Sequence, residues 1–562
     1  MIPGPPAARP GPGGPGGPRG PGGPGGGPGG PGGGPGTPGG PIGPGGGPGG
    51  PGWGPGGPGW GPVGPGGPGS PEGAARPAAG GRIRDDSLVR ARALLIARLA
   101  IALYLVELLL NLTRPHVLPG EPTLSIFQRL PGGSGSLGRL LSMPRAVFWA
   151  VLAGIVVGAI IQGVVLITRP QGRRAVTATW AILVALLGPF SLISLAAAGA
   201  FPLVALLCLP STAFVLWLLH HGQRFARVPL PMLLAAFGWG ALIVFGLGRA
   251  YTGLAFGTLN GYLAKGTGTD LSRQLSTQYR LLDIGVVHLA AVDTLITAAG
   301  VLLLLLLFRH RVTDVLTGLV LGAAAGLGYN FVESVLLVKL YGSLSMFTGA
   351  TSGFEYWIRQ SIGLLGGQVT FGALAGAGLG IAARAPTVRA RRLVACGALV
   401  AAIGGAVAAE TLSAWISHLT SDHVDVGGAA DTLVISPFLW LLPQTPFIVV
   451  VFMLLVTGRR ERAAAARDCV AAEAAEGVAI TKAEASYLAD PALRFWALVN
   501  TWRWYGRATA LALYRLQSAQ LDLAARRLEP QRADDAESRE EGDRLRTKVA
   551  RLRTPTAPAV TP

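Results

Sequence analysis

Cysteine, acidic residues and a cleavable leader are scarce or absent in this sequence. Three cysteines in 562 residues, none at a metal-ligand spacing, exclude a disulfide framework and a cysteine-based zinc site. There are 29 Asp and Glu residues against 47 Lys and Arg, which gives a net charge of +18. The basic residues lie between apolar segments and no nucleic-acid-binding module is present, so no nucleic-acid partner is predicted. The first apolar segment follows a long polar stretch, so we expect it to remain as a membrane anchor.

Residues 1–80 consist almost entirely of glycine and proline, as in GPGGPGGPRGPGGPGGG. Glycine does not recur strictly at every third position, which excludes a collagen triple helix. The stretch has too few apolar side chains to offset the entropy of ordering, so it is predicted to be a disordered tail.

The remainder combines an excess of positive charge with a mean hydropathy of +0.46 over the whole chain. That combination is typical of a multi-pass membrane protein with basic cytoplasmic loops. Length and hydropathy predict an all-α fold, a bundle of about ten transmembrane helices. The predicted spans are 93–112, 146–168, 176–198, 201–219, 231–250, 284–308, 315–338, 362–383, 393–417 and 434–457. Prolines in 176–219 leave open whether this stretch forms two helices or one re-entrant unit.

Loop charge gives an independent test of the number and direction of the spans. Every even-numbered span is followed by arginines, whereas the loop after the ninth span carries Asp422, Asp425 and Asp431 and no basic residue. By the positive-inside rule, both termini are predicted to be cytoplasmic in a multi-pass protein of the cell membrane. The arginines in question are Arg169, Arg173, Arg174, Arg224, Arg227, Arg309, Arg311, Arg384, Arg389, Arg391, Arg392, Arg459, Arg460 and Arg462.

Four regions follow from these patterns: the tail 1–80, a transmembrane bundle 81–458, a cytoplasmic helical segment 459–530, and a charged, largely disordered tail 531–562. In the cytoplasmic segment Thr481 and Glu484 have the spacing of a capping box. A second helix is predicted from about Arg507 to Leu528, where leucines supply much of an apolar stripe.

One helix in the bundle has an unusual composition. Gly318, Gly322 and Gly326 are four residues apart, which predicts a face where another helix packs closely. Glu333 follows on the same helix, and an acid at that depth is a functional-site candidate by default. The alternative is a structural carboxylate that hydrogen-bonds a neighbouring helix.

Three more polar residues lie at a similar predicted depth. With the orientation above, Asp293, Glu333, Gln368 and Glu410 all lie about 8–14 Å below the outer surface, at about 1.5 Å per residue. The similar depth of these four side chains favours one shared site near the outer leaflet. The simpler interpretation is four separate interhelical hydrogen bonds, each contributing about 0.6 kcal/mol.

Several motifs in residues 220–460 resemble the PrsW-type intramembrane proteases. RVPLPMLLAAFGWGALIV is similar to that family's Arg-Pro loop and following helix, GLVLGAAAGLGYNFVESV to its Gly-rich helix, and GGQVTFGALAGAGLGIA to its His-x-x-Phe-Thr helix. VDTLITAAGVLLLLLLF lies where the family has Glu-Glu-x-x-Lys. The region after Val478 also resembles the helical tail of high-GC bacterial members, which implies a bacterial inner membrane.

The resemblance implies catalytic roles for Glu333 and Asp293, which stand at motif acids of the family. Gln368 stands where the family has His, and Val292 and Ile296 replace the first Glu and the Lys of the pair. His418 reproduces, with Asp422, the spacing of the family's His-x-x-x-Asn motif. Glu410 and His418 are therefore expected to line the site with Gln368.

The family activity is hydrolysis of membrane-protein substrates, with zinc as a cofactor only where the histidine site is retained. Zinc needs about three protein ligands, and two acids with an amide are a poor set. No metal or other cofactor is therefore predicted. Three functions remain open: a peptidase, a non-catalytic pseudoprotease acting as sensor or scaffold, and, with less support, a transporter. Expected partners are membrane lipids and a single-span membrane protein.

Overall fold

The computed structural model describes a chain that is helical nearly throughout, without β-strands in its described parts. The described residues are 80–113, 143–170, 172–223, 225–263, 271–307, 314–343, 352–421, 436–528 and 536–553. The glycine- and proline-rich tail 1–79 and the acidic loop 422–435 lie outside them, and so does the end of the charged tail.

Seventeen α-helices follow one another in the described residues. They are α1 Gly80–Leu112, α2 Met143–Thr168, α3 Arg173–Leu187, α4 Ser191–Ala200, α5 Pro202–His221, α6 Leu230–Gly238, α7 Phe245–Leu263, α8 Leu271–Leu307, α9 Val315–Ser343, α10 Ser352–Gln360, α11 Gln368–Arg384, α12 Val388–Ser421, α13 Ser436–Leu441, α14 Thr445–Glu476, α15 Lys482–Leu488, α16 Pro491–Ala525 and α17 Ala536–Arg553.

Ten segments in the described residues are long and apolar enough to cross a bilayer, which confirms the predicted polytopic α-helical fold. Each overlaps one predicted span. They are Val89–Leu112, Val147–Thr168, Arg174–Ala200, Pro202–His221, Leu230–Ala255, Val287–Leu307, Val315–Val338, Ile362–Arg384, Val388–Ser413 and Pro437–Glu476.

The stretch 176–219 forms two spans. A single 3-10 turn, Gly188–Phe190, joins α3 to α4 without ending the span. The chain then breaks at Phe201, whose φ of −130° and ψ of 59° are not helical, and α5 begins at Pro202. Proline is favoured at this first helical position because its missing N–H would have no partner there.

Helices α9 and α11 form the centre of the bundle. Their spans are 89% and 83% buried inside the protein, whereas Pro202–His221 is only 11% buried. The peripheral spans present large apolar side chains to their surroundings, as Ile160 and Trp149 do. This distribution is expected when lipid covers the outer face and only the central helices are enclosed by protein.

The predicted boundary after residue 458 falls inside a continuous helix. Helix α14 runs from Thr445 to Glu476, so the last span continues beyond the bundle without a break. The stretch AAAARDCVAAEAAE is rich in alanine, the best helix former, which explains the continuation. The capping box at Thr481 and Glu484 is present, with both of its hydrogen bonds.

The helix predicted from about Arg507 begins earlier, at Pro491. Asp490 caps its first turn by accepting hydrogen bonds from the backbone N–H groups of Ala492 and Leu493. Gly506 interrupts α16 with a φ of 82° and a ψ of 173°, a conformation open mainly to glycine. The predicted helix is the part after this kink, and the aromatic part before it was not predicted.

Candidate functional site

The site is built around the close packing of α9 on α11. A Cβ atom added to Gly318, Gly322 or Gly326 would lie 1.9–2.0 Å from a backbone carbonyl oxygen of α11. The three oxygens belong to Gly376, Gly372 and Gln368, in that order. Backbones this close leave no room for side chains, so the two helices form a rigid pair.

Glu333 lies two turns beyond the last of these glycines and has three side-chain partners. Its Oε1 accepts hydrogen bonds from Arg249 Nη2 at 2.8 Å and from the Tyr329 hydroxyl at 3.0 Å. Its Oε2 pairs with Arg359 Nη1 at 3.4 Å. The carboxylate therefore ties α7 and α10 to α9, and both of its oxygens are engaged.

Arg249 and Arg359 were not identified as site residues from the sequence. Arg249 also contacts the Tyr329 hydroxyl at 3.3 Å, and its guanidinium lies 5.2 Å from the centre of the Phe245 ring. A signal was available, because Arg249 is a cation inside an apolar span. Its partner could not be named, since the two residues are 84 positions apart.

Asp293 is the least satisfied carboxylate of the site. It is 1% exposed, and among the described residues neither of its oxygens has a hydrogen bond of acceptable geometry. Arg249 and Glu333 are close enough to act on it through their charges, and the Tyr329 hydroxyl lies near it. Its Oδ1 would be 1.8 Å from a Cβ at Gly248, so a glycine is required for this approach. A buried polar group without a partner is costly unless water or a ligand satisfies it.

Amide side chains hold the opposite wall. Asn330 Nδ2 donates to the Gly363 carbonyl at 3.0 Å, and Gln444 Oε1 accepts from the Gly367 N–H at 2.5 Å. Gly367 has a φ of 57°, a conformation that favours glycine, just before α11 begins at Gln368. The Gln368 amide oxygen accepts from the Thr294 hydroxyl at 3.2 Å, so it faces α8.

These side chains surround one cavity of about 410 Å³. Asp293, Glu333, Gln368 and Glu410 all line it, so the structure brings together four residues that the sequence placed at one depth. The backbone of His418 lies near the end of α12, and its side chain is outside the described residues. Eight other lining residues are polar, charged or aromatic: Arg249, Tyr329, Asn330, Ser334, Arg359, Phe371, Trp440 and Gln444.

The donor set of this cavity does not fit a zinc ion. Within the described residues, no group of three or more His, Cys, Asp or Glu side chains is arranged to hold a metal. Two guanidinium groups already occupy the Glu333 carboxylate, and their positive charge opposes a nearby cation. The chemistry available here is hydrogen bonding and ion pairing, together with the Asp293 carboxyl group, which has no well-formed hydrogen bond within the part of the chain that the structure describes.

Comparison with known proteins gives one result. Residues 228–423 match the model of a family described as PrsW family intramembrane metalloprotease. The matched segment runs from the loop before α6 to just beyond α12, and includes Asp293, Glu333, Gln368 and Glu410. No protein with a curated description matches, and no solved structure matches.

Proposed function

We propose that this multi-pass membrane protein, whose residues 228–423 match the PrsW family model, belongs to that family, and that its cavity binds a segment of another membrane protein without cleaving it. The observation that carries the proposal is the engagement of Glu333 with Arg249 and Arg359. A general base must be placed to accept a proton from water, and three of the about four lone-pair sites of the Glu333 carboxylate already accept from Arg249, Tyr329 and Arg359. Here the motif glutamate holds three helices together instead.

The polar wall supports a peptide as the occupant. A transmembrane segment can expose unpaired backbone groups in a bilayer only where protein or water satisfies them. Asn330 and Gln368 each carry a second amide atom besides the one bonded to protein, and Arg359 carries donors, around a cavity within span depth. Such side chains can replace the backbone hydrogen bonds that a helix loses where it unwinds locally. We therefore expect the bound segment to be the unwound end of the span of a single-span protein.

A photo-crosslinking amino acid at Leu337, which lines the cavity, would test this binding. We expect adducts with single-span membrane proteins in living cells, at a residue near one end of their span. The matched control is the same probe at Ile160, which is 61% exposed on a peripheral span. Equal adducts from both positions, or lipid adducts only from Leu337, would contradict the proposal.

A peptidase is the second candidate, and Asp293 is the observation in its favour. Asp293 and Glu333 line the same cavity, and the surroundings of their carboxyl groups differ. Two carboxyl groups in different surroundings can take the separate roles of general acid and general base. In this mechanism Asp293, rather than Glu333, would accept the proton from water.

One measurement distinguishes binding without cleavage from peptidase activity. Membrane proteomes of cells with the wild type, Asp293→Asn or Glu333→Gln would be compared for full-length proteins that accumulate and for new N-termini that disappear. Binding without cleavage predicts no such change in either variant. A substrate that accumulates in Asp293→Asn would establish the peptidase, because loss of a general base costs about a hundred- to ten-thousand-fold in rate.

The proposed orientation places both termini in the cytoplasm of the cell that carries this protein in its plasma membrane, with the cavity near the outer leaflet. Loop charge supports it. Reporter fusions after residues 172, 226, 390 and 459 should report cytoplasm, and a fusion at residue 424 should report the outside. A cytoplasmic signal at residue 424 would refute the orientation.

A further inference from the structure

The first part of α16, residues 491–505, presents an aromatic surface that the described protein does not cover. Trp496, Trp502, Trp504 and Tyr505 are between 58% and 74% exposed, and Phe495 is 52% exposed. The kink at Gly506 separates this part from the second part of α16, where Gln517, Leu521 and Ala524 are buried against other cytoplasmic helices. Residues 491–505 form the aromatic arm.

The aromatic arm begins at the level where the spans end. A cavity of about 570 Å³ is lined by Pro491, Arg494 and Phe495 of the arm. Its other lining residues include Trp217 and His221, at the end of the span Pro202–His221. The start of the arm therefore lies beside the end of a span, and tryptophan and tyrosine are enriched at span ends in membrane proteins.

The charge of the arm has a single sign. Between residues 491 and 511 there are three arginines, Arg494, Arg503 and Arg507, and no aspartate or glutamate. Arg503 and Arg507 are exposed, and the Arg503 guanidinium lies 5.9 Å from the centre of the Trp504 ring. Exposed arginines beside tryptophans suit a surface of anionic lipid headgroups.

Exposed aromatic residues alone could equally cover a protein partner. Two observations select lipid: the arm is tethered at the span ends, and its aromatic residues cover most of its free circumference. Phe495 and Trp502 are seven residues apart and share one face, while Trp496 and Trp504 project from others. A protein groove would cover one stripe, whereas the headgroup region surrounds an embedded helix.

We propose that the aromatic arm lies in the headgroup region of the bilayer, and that anionic lipids bind to Arg503 of the arm and to Arg507, the residue after the kink. The arm then anchors the cytoplasmic helices to the membrane at a second point, beside the continuous helix α14. The kink at Gly506 allows the arm to follow the membrane plane while the second part of α16 packs on protein.

The test uses the full-length protein in nanodiscs of phosphatidylcholine mixed with phosphatidylglycerol. A nitroxide is attached at Trp502→Cys after Cys208, Cys396 and Cys469 are replaced by alanine, and its collisions with oxygen and with a water-soluble nickel chelate are measured. The same label at Ile160→Cys reports lipid, and at Val478→Cys, which is 70% exposed in a cytoplasmic turn, it reports water.

At position 502 we expect an oxygen-to-nickel ratio several-fold above that at position 478 and closer to that at position 160. A ratio equal to that at position 478 would overturn the proposal. Shielding from both reagents would also overturn it, because it would show that protein, either a partner or a second copy, covers the arm.

A separate measurement tests whether the positive charges of Arg503 and Arg507 contribute to lipid binding. In nanodiscs of phosphatidylcholine alone, the ratio at position 502 should fall, and R503Q/R507Q should produce the same fall in the anionic nanodiscs. If the double variant leaves the ratio unchanged there, binding of anionic lipids by these arginines is refuted. Circular dichroism confirms that both proteins remain helical.

Discussion

The two ends of α9 carry acids of very different environments. At the first end Asp314, the residue before the helix, forms a buried two-pronged ion pair with Arg462 of α14. Arg462 also donates to the Thr317 hydroxyl at 2.7 Å, to Gln223 Oε1 at 3.1 Å and to the Phe225 carbonyl at 3.3 Å. At the other end Glu333 and Asp293 border a cavity, and the described residues supply no hydrogen bond to either oxygen of Asp293.

The difference separates a structural ion pair from a site. Around Asp314 all three guanidinium nitrogens of Arg462 have protein partners, so nothing is left for a ligand. We call Asp314, Thr317 and Arg462 the clamp. At the cavity, polar groups exceed the partners that the protein supplies. Incomplete pairing beside an open volume is therefore a better indication of function than the presence of a charge in the membrane.

The largest effect is expected from breaking the clamp. Arg462→Leu should lower the free energy of unfolding by about 3–5 kcal/mol, because it leaves the buried Asp314 carboxylate without a counter-charge. Thermal unfolding of the purified protein in detergent measures this. The control is Arg384→Leu, which removes an ion pair with Glu461 whose side chains are nearly half exposed, and should change stability by about 0–1 kcal/mol. Equal losses in both variants would contradict the comparison.

At the other end of α9, Glu333→Gln should lower stability by about 1.5–3 kcal/mol, the value of hydrogen bonds to charged groups. Glutamine keeps an acceptor for one arginine and loses the charge shared by both. Glu333→Leu should be worse, because it strands Arg249 and Arg359 together. The same thermal assay ranks the two variants, and a leucine variant as stable as the wild type would exclude the bridging role.

Between the two ends, the glycine face can be tested by adding a single methyl group. Gly322→Ala should lower stability by about 1–3 kcal/mol, since its Cβ would lie 1.9 Å from the Gly372 carbonyl oxygen. Gly404→Ala is the matched control on α12, where a Cβ meets no atom within 4 Å. There alanine should be neutral or stabilise by up to about 1 kcal/mol, through helix propensity. A stabilised Gly322→Ala variant would show that α9 and α11 can move apart freely.

The smallest effect is a dependence on pH that belongs to the clamp. Burial alone would raise the pKa of the Asp314 carboxyl, but the hydrogen bonds and charge of Arg462, with the Thr317 hydroxyl and N–H, hold this pKa below its ordinary value. An acid with a lowered folded-state pKa contributes stability above its unfolded pKa, near 3.9, and loses it as pH falls through the folded pKa. The stability difference between wild type and Asp314→Asn should therefore be constant above about pH 5 and shrink in more acidic solution. A difference that grows on acidification would reverse the assigned sign.

Much of the architecture could be predicted from local patterns. The ten spans, the capping box at Thr481 and the positions of Gly318, Gly322 and Gly326 on one helix face all follow from hydropathy or short-range spacing. The depth argument also placed at one level four of the polar residues that line the cavity, because depth in a bilayer is set by distance along a helix. The aromatic arm was missed because its start depends on a cap at Asp490 and its end on a kink at Gly506, and the leucine pattern beyond the kink dominated the interpretation.

The sequence by itself determined how many times this chain crosses the membrane, since each span depends mainly on the summed transfer free energy of its own residues. It also determined that acids lie inside the bilayer. Only the tertiary structure decided what those acids do. Glu333 is engaged by arginines from two other helices, Asp314 by an arginine 148 residues away, and Asp293 by no well-placed donor. Pairing depends on which helices pack together and at what rotation, and neither is encoded in a local pattern.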